Sequence, residues 1–140
     1  MEKIINIFKI IFSGIATLIT WLFGGWDISI LALIIFMTLD FALGITKGYK
    51  TNTLSSELCF DGIIKKSMIF IVLIVAVMLD KLKGGDCIFR TMTCYWFIAN
   101  EGLSILENVA ELGGKIPEKL SDALKQVRGE SSGEKESTSN

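Results

Sequence analysis

The chain has 140 residues, 51% of them hydrophobic, with one proline, no histidine and a formal net charge of −1, and its mean hydropathy is +0.53. A soluble domain of this length has too little interior to hide that much apolar surface, so the excess faces lipid. Open sheet and coil leave backbone groups unpaired in hydrocarbon, and the apolar stretches lack the alternation of barrel strands. The sequence therefore predicts an all-α membrane protein: a small helical hairpin bundle of three to four transmembrane helices, followed by a short amphipathic helix.

The first apolar stretch covers about residues 4–23. Asn6, Lys9, Ser13, Thr17 and Thr20 recur along it at three- and four-residue steps and form one polar stripe on a helix. Such a helix spans the membrane or lies flat at its surface. Insertion is the preferred reading, because the stripe is mostly hydroxyls and the other faces are solidly Ile, Phe, Leu and Trp. The Leu22-Phe23-Gly24-Gly25 sequence that follows lacks a small-x-small cleavage site, so the segment is read as retained.

Three further stretches follow, at about 28–46, 63–82 and 88–110. A hydrocarbon core of roughly 30 Å needs about 20 helical residues. The middle run is short by that measure, and its flanking Lys65, Lys66, Lys81 and Lys83 are expected to snorkel toward the headgroups. With four spans, one side holds Lys3, Lys9, Lys47, Lys50, Lys65, Lys66, Lys115, Lys119, Lys125, Arg128 and Lys135, against Lys81, Lys83 and Arg90 on the other. The positive-inside rule then puts both termini in the cytoplasm.

A charge at the centre of a spanning helix costs roughly 2.5 to 3.5 kcal/mol on insertion scales, so each one demands a partner, water or a function. Asp40 and Glu101 lie twelve and thirteen residues from the outer ends of their helices, about 18 to 20 Å by helical rise, and so share a depth. Lys66 is placed to neutralise one of them, and Asp80 and Arg90 to pair near the opposite surface. Bundle-internal pairing and a pore-lining role fit these groups equally.

On the last span Arg90, Thr93, Cys94, Asn100, Glu101, Ser104, Glu107, Asn108 and Glu111 fall on or near one face, opposite Met92, Tyr95, Trp96, Ala99, Leu103, Leu106 and Ala110. A helix with such a stripe is poorly placed alone in lipid, and association with other copies lets polar faces meet or enclose water. A homo-oligomer is expected. Gly44 and Gly48 form a small-xxx-small pair that permits close helix approach, although such pairs are common by chance.

Cys59, Cys87 and Cys94 show no metal-ligand spacing, and without histidine zinc, haem and Cys-His nucleophile chemistry lack support. No catalytic residue, metal or cofactor is expected, and no nucleic-acid partner. Cys87 and Cys94 read as small packing residues. Gly113-Gly114 stop the last helix and Pro117 opens a new one, on which Leu120, Ala123, Leu124 and Val127 make an apolar stripe, read as a cytoplasmic helix lying on the membrane surface. The organisation is thus a membrane domain over 1–114, an amphipathic helix over 115–128 and a disordered polar tail over 129–140.

The stretch LDFALGITKGYKTNTLSSELCFDGIIKK, from Leu39 to Lys66, then the apolar run with Asp80, then FIANEGLSILENVAELGGKIPEKLSDAL, from Phe97 to Leu124, resembles the phage-lysis and toxin-secretion holins of Gram-positive bacteria and their phages. The most specific parts are Asp40-x-x-x-Gly44, the Leu54-Ser55-Ser56 loop with Gly62 and Lys65-Lys66, and Asn100-Glu101 through Ile105-Leu106-Glu107-Asn108 to Pro117; the resemblance covers about residues 28–127. It implies a protein of the host cytoplasmic membrane that accumulates harmlessly and then assembles into large lesions. Through them an endolysin, a peptidoglycan hydrolase, reaches the wall, or a large toxin leaves the cell. Asp40, Glu101 and Arg90 are candidate sensors of membrane potential. A small ion channel or transporter and a non-conducting regulator of the antiholin type are the alternatives.

Overall fold

A computed structural model describes residues 1–129, which form five helices and no strand: α1 (Glu2–Leu22), α2 (Ile28–Lys50), α3 (Ser56–Lys83), α4 (Ile88–Glu111) and α5 (Glu118–Arg128). The chain is thus all-α. From Glu130 on, the expected polar tail lies outside the described residues.

The helix ends follow from local chemistry. Asp27 caps α2 by accepting the Ser29 and Ile30 N–H groups, both at 3.1 Å, and Ser55 caps α3 through the Leu58 N–H at 3.2 Å. Helix α3 stops at Gly84, whose φ of +117° is a left-handed conformation that a side chain would strain. Cys87, the residue before α4, offers no side-chain cap. Asp80 supplies one from the preceding helix, accepting the Phe89 N–H at 2.9 Å and the Arg90 N–H at 2.8 Å. Asp80→Ala should cost about 1 to 2 kcal/mol as a lost helix cap. Faster hydrogen exchange at the Phe89 and Arg90 amides, with the middle of α4 still protected, is the expected readout.

Helices α1, α2 and α3 are long and apolar enough to cross a membrane. Helix α4, at 24 residues, is long enough but carries Arg90, Asn100, Glu101, Glu107 and Asn108. The packing compensates: α2, α3 and α5 all lie against α4, while α2 and α3 barely touch each other. The least apolar of the long helices is therefore the most enclosed, and its polar groups find protein partners there.

The core sits between α2, α3 and α4. Ile30, Leu33 and Met37 recur at three and four residues on one face of α2, Ile69 and Leu73 do so on α3, and Cys94 completes the cluster from α4. Cys94 is fully buried, as expected of a small packing residue, whereas Cys87, expected to pack likewise, is exposed at the turn before α4. Phe23, just after α1, meets Phe70 edge to face at 5.5 Å between ring centroids.

Helix α1 has no buried residue and touches only α3. Its stripe hydroxyls are satisfied within the helix: Ser13 donates to the Ile10 carbonyl at 3.1 Å, Thr17 to that of Ser13 and Thr20 to that of Ala16, both at 2.8 Å. The stripe is thus less hydrophilic than its composition suggests, and most of the Ile, Phe and Leu side chains around it are exposed.

Candidate functional site

Two clusters of charge lie at opposite ends of the α2–α3–α4 bundle. The first joins the end where α1 meets α2 to the start of α4. The Arg90 side chain donates through Nε to the Phe23 carbonyl at 2.7 Å, through one terminal nitrogen to Asp27 at 2.6 Å and through the other to the Gly25 carbonyl at 3.1 Å. Gly24, at φ +71°, leaves room for this: a Cβ there would come within 3.1 Å of the Arg90 stem. Lys81 donates to the Trp21 carbonyl at 2.6 Å and lies 3.6 Å from that ring's centroid.

The pairing of Arg90 with Asp80 expected from sequence is replaced by this arrangement. Both Asp80 oxygens are taken by backbone N–H groups of α4, including that of Arg90 itself, and the guanidinium turns away to the α1–α2 connection. A rigid fork with several donors suits two carbonyls and a carboxylate at once.

The Arg90 hydrogen bond, more than its charge, holds the Asp27 carboxyl below its ordinary value of 3.8; burial is the main opposing effect, and the Ile30 and Ser29 N–H groups help to outweigh it. A depressed folded pKa means that the clamp's contribution to stability is fully present above the unfolded value and is lost as pH falls through the folded value. The clamp should therefore be constant from neutrality down to about pH 4 and weaken only below it. Carbon-13 titration of Asp27 in micelles checks this; a midpoint at or above 3.8 would contradict it.

The second cluster lies toward the opposite end, where the α2–α3 gap opens as a cleft of about 1020 Å³ backed by α4. Asp40, Lys66, Asn100, Glu101, Ser104 and Asn108 all line it. Lys66 of α3 lies between the two acids: its Nζ is 2.6 Å from an Asp40 oxygen and also donates to Glu101. These side chains are only 18%, 15% and 6% exposed for Lys66, Asp40 and Glu101. The other Asp40 oxygen accepts from the Asn108 amide at 3.2 Å. Lys47 extends the ladder, reaching Asn108 at 3.4 Å and Glu111 at 2.9 Å, and Lys50 donates to the Leu112 carbonyl at 3.1 Å.

The structure thus brings Asp40, Lys66 and Glu101 into contact and places Asn100 on the same wall, where it accepts from Arg128 at 3.3 Å. Glu107 is exposed and stands off the cleft. Gly44 faces open space on the cleft wall, whereas Gly48 is buried against Leu54 of the following turn, so among the described residues this pair joins no two helices. Sequence reasoning passed over Asp27, Lys47 and Lys81. Asp27 gave a signal as a helix cap, but the two lysines looked like ordinary interfacial charges. Among the described residues, no group of His, Cys, Asp and Glu is arranged to hold a metal ion.

Long apolar helices packed around an ionic cleft define a small helical membrane protein. The bacteriophage holin family profile matches residues 17–129, and the chain belongs to that family. It is 51% identical over 128 residues to a 14.9 kDa Clostridium perfringens protein from the nagH 3' region, covering 91% of this chain and 97% of that one. It is 35% identical over 105 residues to a protein named probable holin from Bacillus phage phi105, covering 74% and 76%. No solved structure matches the chain.

Proposed function

We propose that this protein acts as a holin, assembling with copies of itself in the bacterial cytoplasmic membrane into lesions wide enough to pass a peptidoglycan hydrolase or a large toxin. The cluster of Asp40, Lys66, Glu101 and Asn108 carries the proposal. In one copy these groups satisfy each other at the wall of a cleft. In an assembly the same groups line water or pair between copies, so closed and open arrangements differ in which partners are used rather than in whether partners exist. The α2–α3 gap gives them a route to a neighbour without breaking the α2–α4 and α3–α4 contacts. Family membership and the phage relative's name support the same reading.

In this reading the end carrying Lys47, Lys50, Lys65 and Lys66 faces the cytoplasm, as does the C-terminus. The membrane potential biases the closed state, since moving one charge fully across is worth roughly 2.3 kcal/mol per 100 mV. Asp40→Asn and Glu101→Gln copies should shift the time at which lysis begins; normal timing would remove that residue from the sensing role.

Induced expression in bacteria, with membrane potential and escape of a cytoplasmic enzyme followed together, tests the proposal. Abrupt collapse of the potential with enzyme escape supports it. Gradual ion leakage without escape favours a small channel or transporter. Growth with neither favours an antiholin-type regulator.

A further inference from the structure

The lipid-facing belt of the bundle is uneven. Helix α5 doubles back along α4: Leu124 seats at Gly102, where an added Cβ would lie 3.0 Å from it, and Arg128 reaches Asn100 at 3.3 Å. The α5 face bearing Ser121, Leu124 and Arg128 is partly covered; Lys119, Asp122 and Gln126 stand exposed opposite it, with exposed Lys125 to one side and exposed Leu120, Ala123 and Val127 to the other. Polar groups therefore occupy the outward face of α5 from the level of Asn100 onward, twelve residues from the start of α4 at Ile88. Twelve residues of helix are about 18 Å. Elsewhere the belt is taller: exposed Lys65 and Lys81 lie sixteen residues apart on α3, about 24 Å. The exposed apolar face of α2 runs from Ile28 to Ile45, about 26 Å. An ordinary hydrocarbon core is roughly 30 Å thick.

A surface apolar over about 18 Å on one flank cannot match a bilayer of about 30 Å there without thinning it or being covered. We propose that the α4–α5 flank is a recognition surface for thin bilayer, so that the protein selects lipids with short acyl chains and is driven to cluster in thick membranes. Lipid next to the flank is compressed, and two copies that bring their short flanks together share one compressed zone in place of two. The sorting arises from belt height alone and holds whether or not a lesion opens, so its failure is distinguishable from failure of the holin reading.

The full chain, labelled with donor and acceptor dyes at exposed Cys87, is reconstituted at equal dilution in phosphatidylcholine vesicles. The acyl chains are about 14 carbons in one set and about 22 in the other. Energy transfer between copies should report association at least about tenfold stronger in the long-chain vesicles. The Asp122→Leu/Lys125→Leu variant, which extends the apolar belt down α5, should lower that ratio to about threefold or less. Equal association in both lipids overturns the proposal, as does a helical variant that keeps the full ratio. If the variant does not fold, the comparison between lipids made with the unaltered chain still decides.

Discussion

Lys66→Met should destabilise the bundle more than any other single change in it, by about 3 to 5 kcal/mol, the usual cost of breaking a buried ion pair from one side. Asp40 and Glu101 touch the same ammonium and are nearly covered, so its loss leaves two carboxylates without their shared cation, and only Asp40 keeps a donor, the Asn108 amide. The triple variant Asp40→Asn/Lys66→Met/Glu101→Gln removes the charges together and should recover most of the loss, because uncharged partners carry no stranded ion. Unfolding in detergent micelles, followed by circular dichroism, measures both. On the proposed holin function, the single variant should also change the onset of lysis in cells, since the resting pairing would be gone before any assembly formed. A Lys66→Met chain as stable as the parent would show that the three groups are not coupled.

Arg90→Met should be the second most damaging change, at about 3 kcal/mol, and its effect should be local. The side chain is 4% exposed and holds Asp27 with two loop carbonyls, so its removal strands acceptors at the joint between α1 and α2. Helix α1 buries none of its own residues, and its hold on the bundle is concentrated near this joint, in the Arg90 and Lys81 contacts and the Phe23–Phe70 packing. The Arg90→Met chain should be cut by protease near Gly24-Gly25 at least about tenfold faster than the parent, with α2, α3 and α4 still protected. Arg90→Lys should not restore protection, because a single ammonium cannot reach three acceptors in a fixed fork. Equal cleavage rates would place the anchor of α1 elsewhere.

These two residues also show what can be read from sequence and what cannot. Helical rise alone puts Asp40 and Glu101 at one depth and Lys66 near one of them; that Lys66 bonds both acids at once depends on how α3 packs against α2 and α4, which the sequence does not record. Nor does it record the partner of Arg90. Asp80 lies across a short turn from it, but the first N–H groups of a helix lacking its own cap compete for that carboxylate, and no residue spacing records the competition. The return of α5 along α4 was hidden for a related reason. The apolar residues of α5 suggested a surface helix, whereas its docking rests on Leu124 at Gly102, and that position is one of 13 glycines in the chain. The helical class and the membrane character were legible throughout, because they depend on composition and length rather than on which side chains meet.

The most direct measurement of the central claim uses lipid vesicles that hold both a small fluorescent dye and a folded protein of the size of a peptidoglycan hydrolase, loaded with rising amounts of purified chain. Above a threshold loading, the account predicts that dye and protein escape together and abruptly. Escape of the dye at every loading, with the folded protein retained throughout, would contradict it.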